Sequence, residues 1–523
     1  MIVLGIESTA HTASVGIVEE GKIIDFISDS YKPEKGGINP REAASHHMRS
    51  FPKILTSLLE NNRIDIKEID RVAVATGPGI GPALKTGVEL ARYISIRYDK
   101  EIVPVNHGVA HLEVARSMSG FKNPLFLYVS GGNTQIEIIG NGKYSILGET
   151  LDIGVGNFLD KLARDMGIPF PGAPKLEQLA LKGREIFDSP YTIRGMDVAY
   201  SGLYTHLRNL IGKKDEADIA FNAQEYAFTA LAEIVERGMA HFGLEEFTIT
   251  GGVARNRRLR QILQEMAQLR GYSYFFPEDK FLSDNGGMIA LAGFFSSRTV
   301  KAERITADQY ERVDSYKANW IGKRNVTPKS MKGGESIVKR IKFQGIDCIL
   351  KIRRGRDYRN PDLDTMINRS RIKREVKILH AIRESGINAP IVLYVNLQEA
   401  SLIMTRIKGV PLSLLINRSE FDDFVEESGR VVARMHLAGI SHGDLNAGNI
   451  IVDGGINIID PSMGNTSPTM EDFGVDIHLM KESLTSLGVS KSFKRFLSGY
   501  KEFTKYQEVI EKVREIEGRR RYV

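Results

Sequence analysis

Residues 2–18, IVLGIESTAHTASVGIV, decide the fold of the first part of the chain. Two apolar runs flank a small-polar turn, the pattern of a hairpin made from buried strands. Residues 125–139, LFLYVSGGNTQIEII, repeat it with Gly131-Gly132 in the turn. A third element, FTITGGVARNRRLRQIL at 247–263, reads as a strand, a double glycine and a helix start. Two hairpins of matching design within roughly the first 320 residues imply an internal duplication with a cleft between the halves. Helical patterns lie between them; ALAEIVERGMAHF at 230–242 repeats its apolar positions every three or four residues.

At 523 residues the chain exceeds one ordinary core, and about 150 residues per domain gives two to four domains. Cys348 is the only cysteine, which excludes an internal disulfide framework and a cysteine zinc site. A metal would need His, carboxylate or Tyr donors. No apolar run reaches the roughly 18 residues that span a bilayer, and the chain opens directly into a strand, so the expected location is the cytoplasm. The net charge of +6 is mildly basic, and the basic residues cluster late, in KIRRGRDYR at 351–359, RIKREVK at 371–377 and GRRR at 518–521. Such runs are read as solvated faces unless a polyanion covers them. KANWIGKRNVTPKSMKGGES, 317–336, loses periodicity and marks the boundary region. The expected division is 1–323, a linker at 324–332, and a small two-lobed α+β domain at 333–523.

NHGVAHLEVA, 106–115, carries His107 and His111 four apart. On a helix their imidazoles share one face, as two ligands of one metal require; a pair of surface or capping histidines is the alternative. A zinc protease needs Glu straight after the first His, and Gly108 stands there. SGGNT at 130–134 and GGVARN at 251–256 let backbone N–H groups approach an anion, or serve as plain tight turns.

HGDLNAGNIIVDGGINIIDPS, 442–462, has kinase catalytic-loop spacing. Asp444 would accept a hydroxyl proton, and Asn449, five residues on, would hold Mg²⁺. Asp460 ends an apolar strand where the metal-binding Asp of DFG sits. Upstream, Lys351 and Glu375 fit the Lys–Glu pair that positions phosphates. The glycine-rich Gly333, Gly334, Glu335 and Ser336 stand where a phosphate-covering loop belongs, without GxGxxG. Asp460-Pro461-Ser462 replaces DFG, and no APE segment follows. ATP hydrolysis or limited autophosphorylation fits as well as protein phosphorylation.

The ordered set IESTAHTASVGIV, NHGVAHLE, LYVSGGNTQ, GNFLDKLAR, PFPGAPKLE, GGVARNRRLR and SDNGGMIA resembles the TsaD family, catalytic subunit of the archaeal and eukaryotic KEOPS complex. The resemblance implies an α/β, duplicated actin/Hsp70/sugar-kinase-like fold. It implies transfer of threonylcarbamoyl from threonylcarbamoyl-AMP to N6 of the tRNA adenosine after the anticodon. It implies a divalent metal, iron in the archaeal form, on His107, His111, Asp284 and Tyr128. Nucleotide or acyl-adenylate contacts would come from Tyr128, Val129, Ser130, Gly131, Gly132, Asp160, Ala173, Glu177 and Asn256. The family usually reads PGGP where this chain has Pro171-Gly172-Ala173-Pro174. Residues from about 332 onward, with KIRRGRDYRNPDLD and the basic tail, resemble the small RIO-like kinase of the same complex. The combined resemblance implies an archaeal fusion working with a small dimerising subunit and a kinase-binding subunit, the basic tail touching tRNA. A nucleotide-sensing scaffold for a signalling kinase is the alternative.

Overall fold

A computed structural model describes residues 1–32, 38–140, 142–322 and 336–520, with 517–520 as backbone only. The first sheet runs in the order Lys22–Ser30, Thr12–Glu19, Ile2–Glu7, Arg71–Gly77, Glu101–Asn106. Its first three strands form an antiparallel meander, and the remaining two continue parallel to Ile2–Glu7. The second sheet repeats this plan with Lys143–Glu149, Thr134–Gly140, Leu125–Val129, Glu246–Thr250 and Ser273–Phe275. The duplication read from the two hairpins is therefore present strand for strand.

Glycine permits close packing on the first sheet. Helix Gly286–Phe295 crosses it so tightly that a Cβ on Gly16 would sit 2.3 Å from the Gly287 nitrogen. The long helix Glu216–Phe242 starts at an Asp215 cap and ends at Gly243, whose φ of 59° stops it. The double-glycine element differs slightly from expectation: a 3-10 turn, Gly252–Arg255, precedes helix Arg257–Arg270.

The C-terminal part has two lobes. Strands Ser336–Phe343, Ile346–Arg353, Ser401–Thr405 and Val392–Asn396 form one sheet beside helix Pro361–Glu384. The second lobe holds helices Phe421–Leu437, Met470–Ser486, Phe493–Tyr500 and Tyr506–Arg520 with a small sheet of Val410–Pro411, Ile450–Val452 and Ile456–Ile458. No helix among the described residues is long and apolar enough to cross a membrane.

Trp320, inside the aperiodic stretch and within the expected 1–323, is anchored on the first domain by donating to Glu113 at 2.7 Å, and Tyr316, just before the stretch, donates to the Pro104 carbonyl at 3.0 Å. One expectation changes: the run at 351–359 is no solvated face. Arg353, Arg356 and Arg359 are buried in ion pairs, and Arg371 of the next basic run joins them. Linker 324–332 and Gly333, Gly334 and Glu335 lie outside the described residues, as do the side chains of 518–521. Ser336 opens a strand opposite Arg353.

Candidate active sites

Asn106 ends a buried strand and caps the next helix by accepting from the Val109 N–H at 3.1 Å. That cap fixes the phase of the helix His107–Ser119, and the spacing of four puts both imidazoles on one face, ring centroids 4.7 Å apart. Asp284, just before helix Gly286–Phe295, meets them: its Oδ1 lies 3.3 Å from His111 Nε2 and 3.6 Å from His107 Nε2. One donor atom from each of the three residues lies within 4.8 Å of the others.

The far sides of the rings are held as well. His107 Nδ1 is 2.9 Å from Glu7 Oε2 and 3.2 Å from Thr9 Oγ1, and Thr250 Oγ1 is 3.4 Å from His111 Nδ1. Glu7 ends the third strand of the first sheet and Thr250 the fourth strand of the second, so both reach the imidazoles from strand ends. Burial, the largest influence on His107, opposes its proton, yet the Glu7 and Asp284 carboxylates raise the imidazole to about 9. His111 is lowered by burial, while Asp284 is held below the usual carboxylate range, the imidazoles outweighing its desolvation. Carboxylates that favour a proton at this point favour a bound cation in its place, so the donor set fits a divalent metal. Tyr128, next to last in strand Leu125–Val129, has its ring 5.1 Å from that of His111, and its hydroxyl accepts from Asn133 Nδ2 at 3.2 Å. Burial pushes its phenol above the ordinary range.

After Val129 the chain turns through Ser130, Gly131 and Gly132. The Ser130 and Gly131 carbonyls accept from Gly156 and Asn157 N–H at the start of helix Val155–Asp165, at 3.2 and 2.9 Å. A Cβ on Gly154 would meet the Gly132 carbonyl at 2.5 Å, whereas one on Gly132 would meet nothing within 4 Å. The turn is thus clamped on its carbonyl side and open on the exposed side of Gly132. Asp160 accepts from the Gly172 and Ala173 N–H groups, both at 2.8 Å, so the Ala173 N–H already has a partner. Glu177 accepts from Arg257 N–H at 2.8 Å at the start of helix Arg257–Arg270, which Asn256 caps. Asn256 also donates to Gln224 at 2.8 Å. These polar groups brace the walls around the glycine turns.

In the C-terminal cleft, Lys351 Nζ is 2.7 Å from Glu375 and 2.6 Å from Asp460. Asn449 Nδ2 donates to the Asp444 carbonyl at 2.8 Å and its carboxylate at 3.2 Å. Asp460 takes φ 56°, the left-handed conformation that Asp tolerates. Lys351, Glu375 and Asp460 thus form one cluster and Asp444 with Asn449 a second, joined through the backbone where the Ile459 N–H donates to the Asn449 carbonyl at 3.0 Å.

Several supporting residues escape a motif reading. Glu7 sits inside the quoted IEST, and a carboxylate ending a buried strand is the signal that could have found it. Arg353 binds the second oxygen of Glu375 at 3.1 Å. Asp476 accepts from His442 and Gly443 N–H at 2.6 and 2.7 Å, holding the catalytic loop from a distant helix that no local spacing announces.

Comparison with known proteins agrees across both halves. Residues 22–291 match the TsaD family, described as tRNA N6-adenosine threonylcarbamoyltransferase, and 329–473 match the RIO domain. A Thermoplasma acidophilum protein named probable bifunctional tRNA threonylcarbamoyladenosine biosynthesis protein is 40% identical, covering 100% of both chains. A protein of the same name from Methanocaldococcus jannaschii is 38% identical, again over 100% of both. The alignments run from the metal-type cleft through the kinase-type cleft, with a divalent metal expected of the first family and ATP with Mg²⁺ of the second. The chain belongs to the family of bifunctional tRNA threonylcarbamoyladenosine biosynthesis proteins, a TsaD-type transferase domain fused to a RIO-type atypical kinase domain.

Proposed function

We propose that the chain transfers threonylcarbamoyl from threonylcarbamoyl-AMP to N6 of the adenosine that follows the anticodon in tRNAs reading ANN codons. Residues 1–323 form the transferase domain, and 333–523 an ATP-hydrolysing, atypical Ser/Thr kinase domain that regulates it, joined by 324–332. The observation that carries the reading is the convergence of His107, His111 and Asp284 beside an open double-glycine turn.

His107, His111 and Asp284 would hold the cation with Tyr128 as a further donor, a set that suits iron first and zinc or manganese as well. The bound metal would supply Lewis acidity toward the carbamoyl carbonyl and the phosphate. Glu7 holds the His107 ring in place from behind. The Ser130 N–H is bonded to the Asn133 carbonyl at 2.8 Å, so the Gly131 and Gly132 N–H groups of the turn are the ones that face the phosphate, while Val129, Ser130, Asp160, Ala173, Glu177 and Asn256 shape the acyl-adenylate cavity. The N6 amine forms the new C–N bond as the carbonyl's bond to the phosphate oxygen breaks; AMP leaves with that electron pair, and the proton released from the amine passes to the departing phosphate. No cysteine and no Ser-His dyad sits within these motifs, and on that ground we read the transfer as direct.

In the second domain Asp444 accepts the proton of a hydroxyl or water, Asn449 and Asp460 hold Mg²⁺, and Lys351, fixed by Glu375, orients the ATP phosphates. The protein works in the cytoplasm with tRNA, a small dimerising subunit and a kinase-binding subunit. The test is transfer to tRNA by the purified full chain, acyl-adenylate supplied and those subunits present, with His107→Ala/His111→Ala as control. Wild-type failure under those conditions selects the nucleotide-sensing scaffold instead.

A further inference from the structure

We propose that Glu233, a residue of the transferase domain, is a positioning residue for the kinase site, holding helix Pro361–Glu384 so that Glu375 meets Lys351. The inference rests on the kinase reading of the second cleft and adds an influence of the transferase domain on the kinase site to the regulation proposed above.

Glu233 lies on the long helix Glu216–Phe242 with its side chain wholly buried. Arg237, one turn on, binds it at 2.7 Å and the Tyr191 hydroxyl donates at 2.8 Å. Its other partners come from the kinase domain: Arg371 at 2.6 Å, Arg356 at 3.4 Å, and Arg359. Glu236, on the same helix face, accepts from Tyr358 at 2.9 Å and pairs with Arg356 at 3.1 Å. A buried carboxylate is tolerable only with such partners, so the kinase domain cannot slide on this face without stranding charge.

These arginines stand next to the residues that matter. Arg371 precedes Glu375 by four positions, one turn of the same helix. Lys351 lies on strand Ile346–Arg353, and the chain running straight out of that strand carries Arg356 and Arg359. Arg353 closes the circuit by binding Glu375 at 3.1 Å. Both members of the Lys351–Glu375 pair are thus tethered to one carboxylate of the other domain. Apolar packing has the same direction: Tyr358, Leu363 and Ile367 are buried within the transferase domain's own core. In kinases the position of this helix decides whether the Lys–Glu pair forms.

The test uses the full chain with Glu233→Gln and with Arg371→Met, the second leaving Glu233 three arginines so that the domains stay docked. Hydrogen exchange at amides of 367–380 is expected to rise about tenfold or more in both variants, with 421–437 unchanged. The kcat for ATP turnover is expected to fall roughly tenfold while KM for ATP changes less than about threefold. On a Glu375→Gln background, Arg371→Met is expected to lower turnover no further, which a merely structural role would not produce. Unchanged exchange at 367–380 in both variants overturns the proposal, and so do losses that add in full on the Glu375→Gln background. Raised exchange in both variants of a chain whose wild type turns over no ATP keeps the positioning of the helix and removes the kinase reading.

Discussion

In the transferase cleft two carboxylates, Glu7 and Asp284, surround imidazoles that are cationic only when protonated. In the kinase cleft two carboxylates, Glu375 and Asp460, surround Lys351 with Arg353 alongside, and the charges already balance. The first constellation therefore carries a deficit of positive charge that a divalent cation fills. The Lys351, Arg353, Glu375 and Asp460 cluster is neutral by itself, with Asp444 outside it, and what the Lys351–Glu375 pair requires is alignment. The same ingredients, carboxylates against nitrogen bases, give a site governed by occupancy in one domain and a site governed by geometry in the other.

The sharpest way to break this contrast is to remove a ligand. Asp284→Ala or His111→Ala should lower threonylcarbamoyl transfer by roughly 10³-fold or more, because acyl-group polarisation is lost outright. ATP turnover should stay within about twofold of wild type, since neither residue touches the second cleft. Chelation followed by dialysis should reproduce the transfer loss, and adding a divalent metal should restore it. An unaffected transfer rate after complete metal removal, verified by elemental analysis, would show that occupancy does not govern the first site.

The complementary break is Asp444→Asn, which keeps shape and removes the base. ATP turnover should drop by about 10²–10⁴-fold. Transfer with acyl-adenylate supplied should persist for a single turnover, measured by quench with radiolabelled threonine. Loss of both activities together would mean that the two centres share a chemical step.

The sequence made some parts of this contrast readable and hid others, for a physical reason. Local spacing reports whatever one helix or loop brings together: His107 with His111, Asp444 with Asn449, and the paired hairpins with the duplicated sheets. It does not report a charge supplied from another element. Glu7 lies a hundred positions from His107, and Glu233 lies 138 from Arg371. The arginines of 351–359 looked like surface because most such runs are. Their burial depends on Glu233 and Glu236, whose ExxER spacing in AEIVERGM presents acid and base on one helix face without naming a partner. The metal constellation was legible because its two imidazoles are local; the interdomain clamp was not, because every bond in it that matters is long-range.

A smaller effect should come from Glu7→Gln, which keeps a hydrogen-bond acceptor near His107 Nδ1 and removes the charge. Metal affinity should fall by about 10–100-fold, the usual loss when such a supporting carboxylate goes. Competition with a fluorescent chelator would measure it. Transfer at saturating metal should recover most of its rate, which separates Glu7 from the direct ligands; failure to recover would move Glu7 into the reacting set.

The smallest effect concerns Glu137, which compares a buried carboxylate with no arginine hydrogen-bonded to it among the described residues to Glu233 with four paired arginines. Glu137 sits on strand Thr134–Gly140, fully buried, with neither oxygen hydrogen-bonded among the described residues. Burial first, then the nearby Asp314 and Glu149 charges, raise it to about 8, with Arg312 opposing. Glu233, equally buried, is held below the usual range because its arginines outweigh desolvation. For Glu137 the folded state binds its proton more tightly than the unfolded chain. Its contribution to stability is therefore whole below pH 4.5 or so and is lost as pH rises through about 8. Glu137→Gln carries no titrating proton, so relative to wild type it should gain about 1–3 kcal/mol between pH 5 and pH 9. Urea midpoints of both proteins at the two pH values give the difference directly, since every other titrating group is common to both. A wild-type-minus-variant difference that stays constant across that range would mean that Glu137 is ionised in the folded protein at pH 5, and that burial beside Asp314 and Glu149 does not hold its proton.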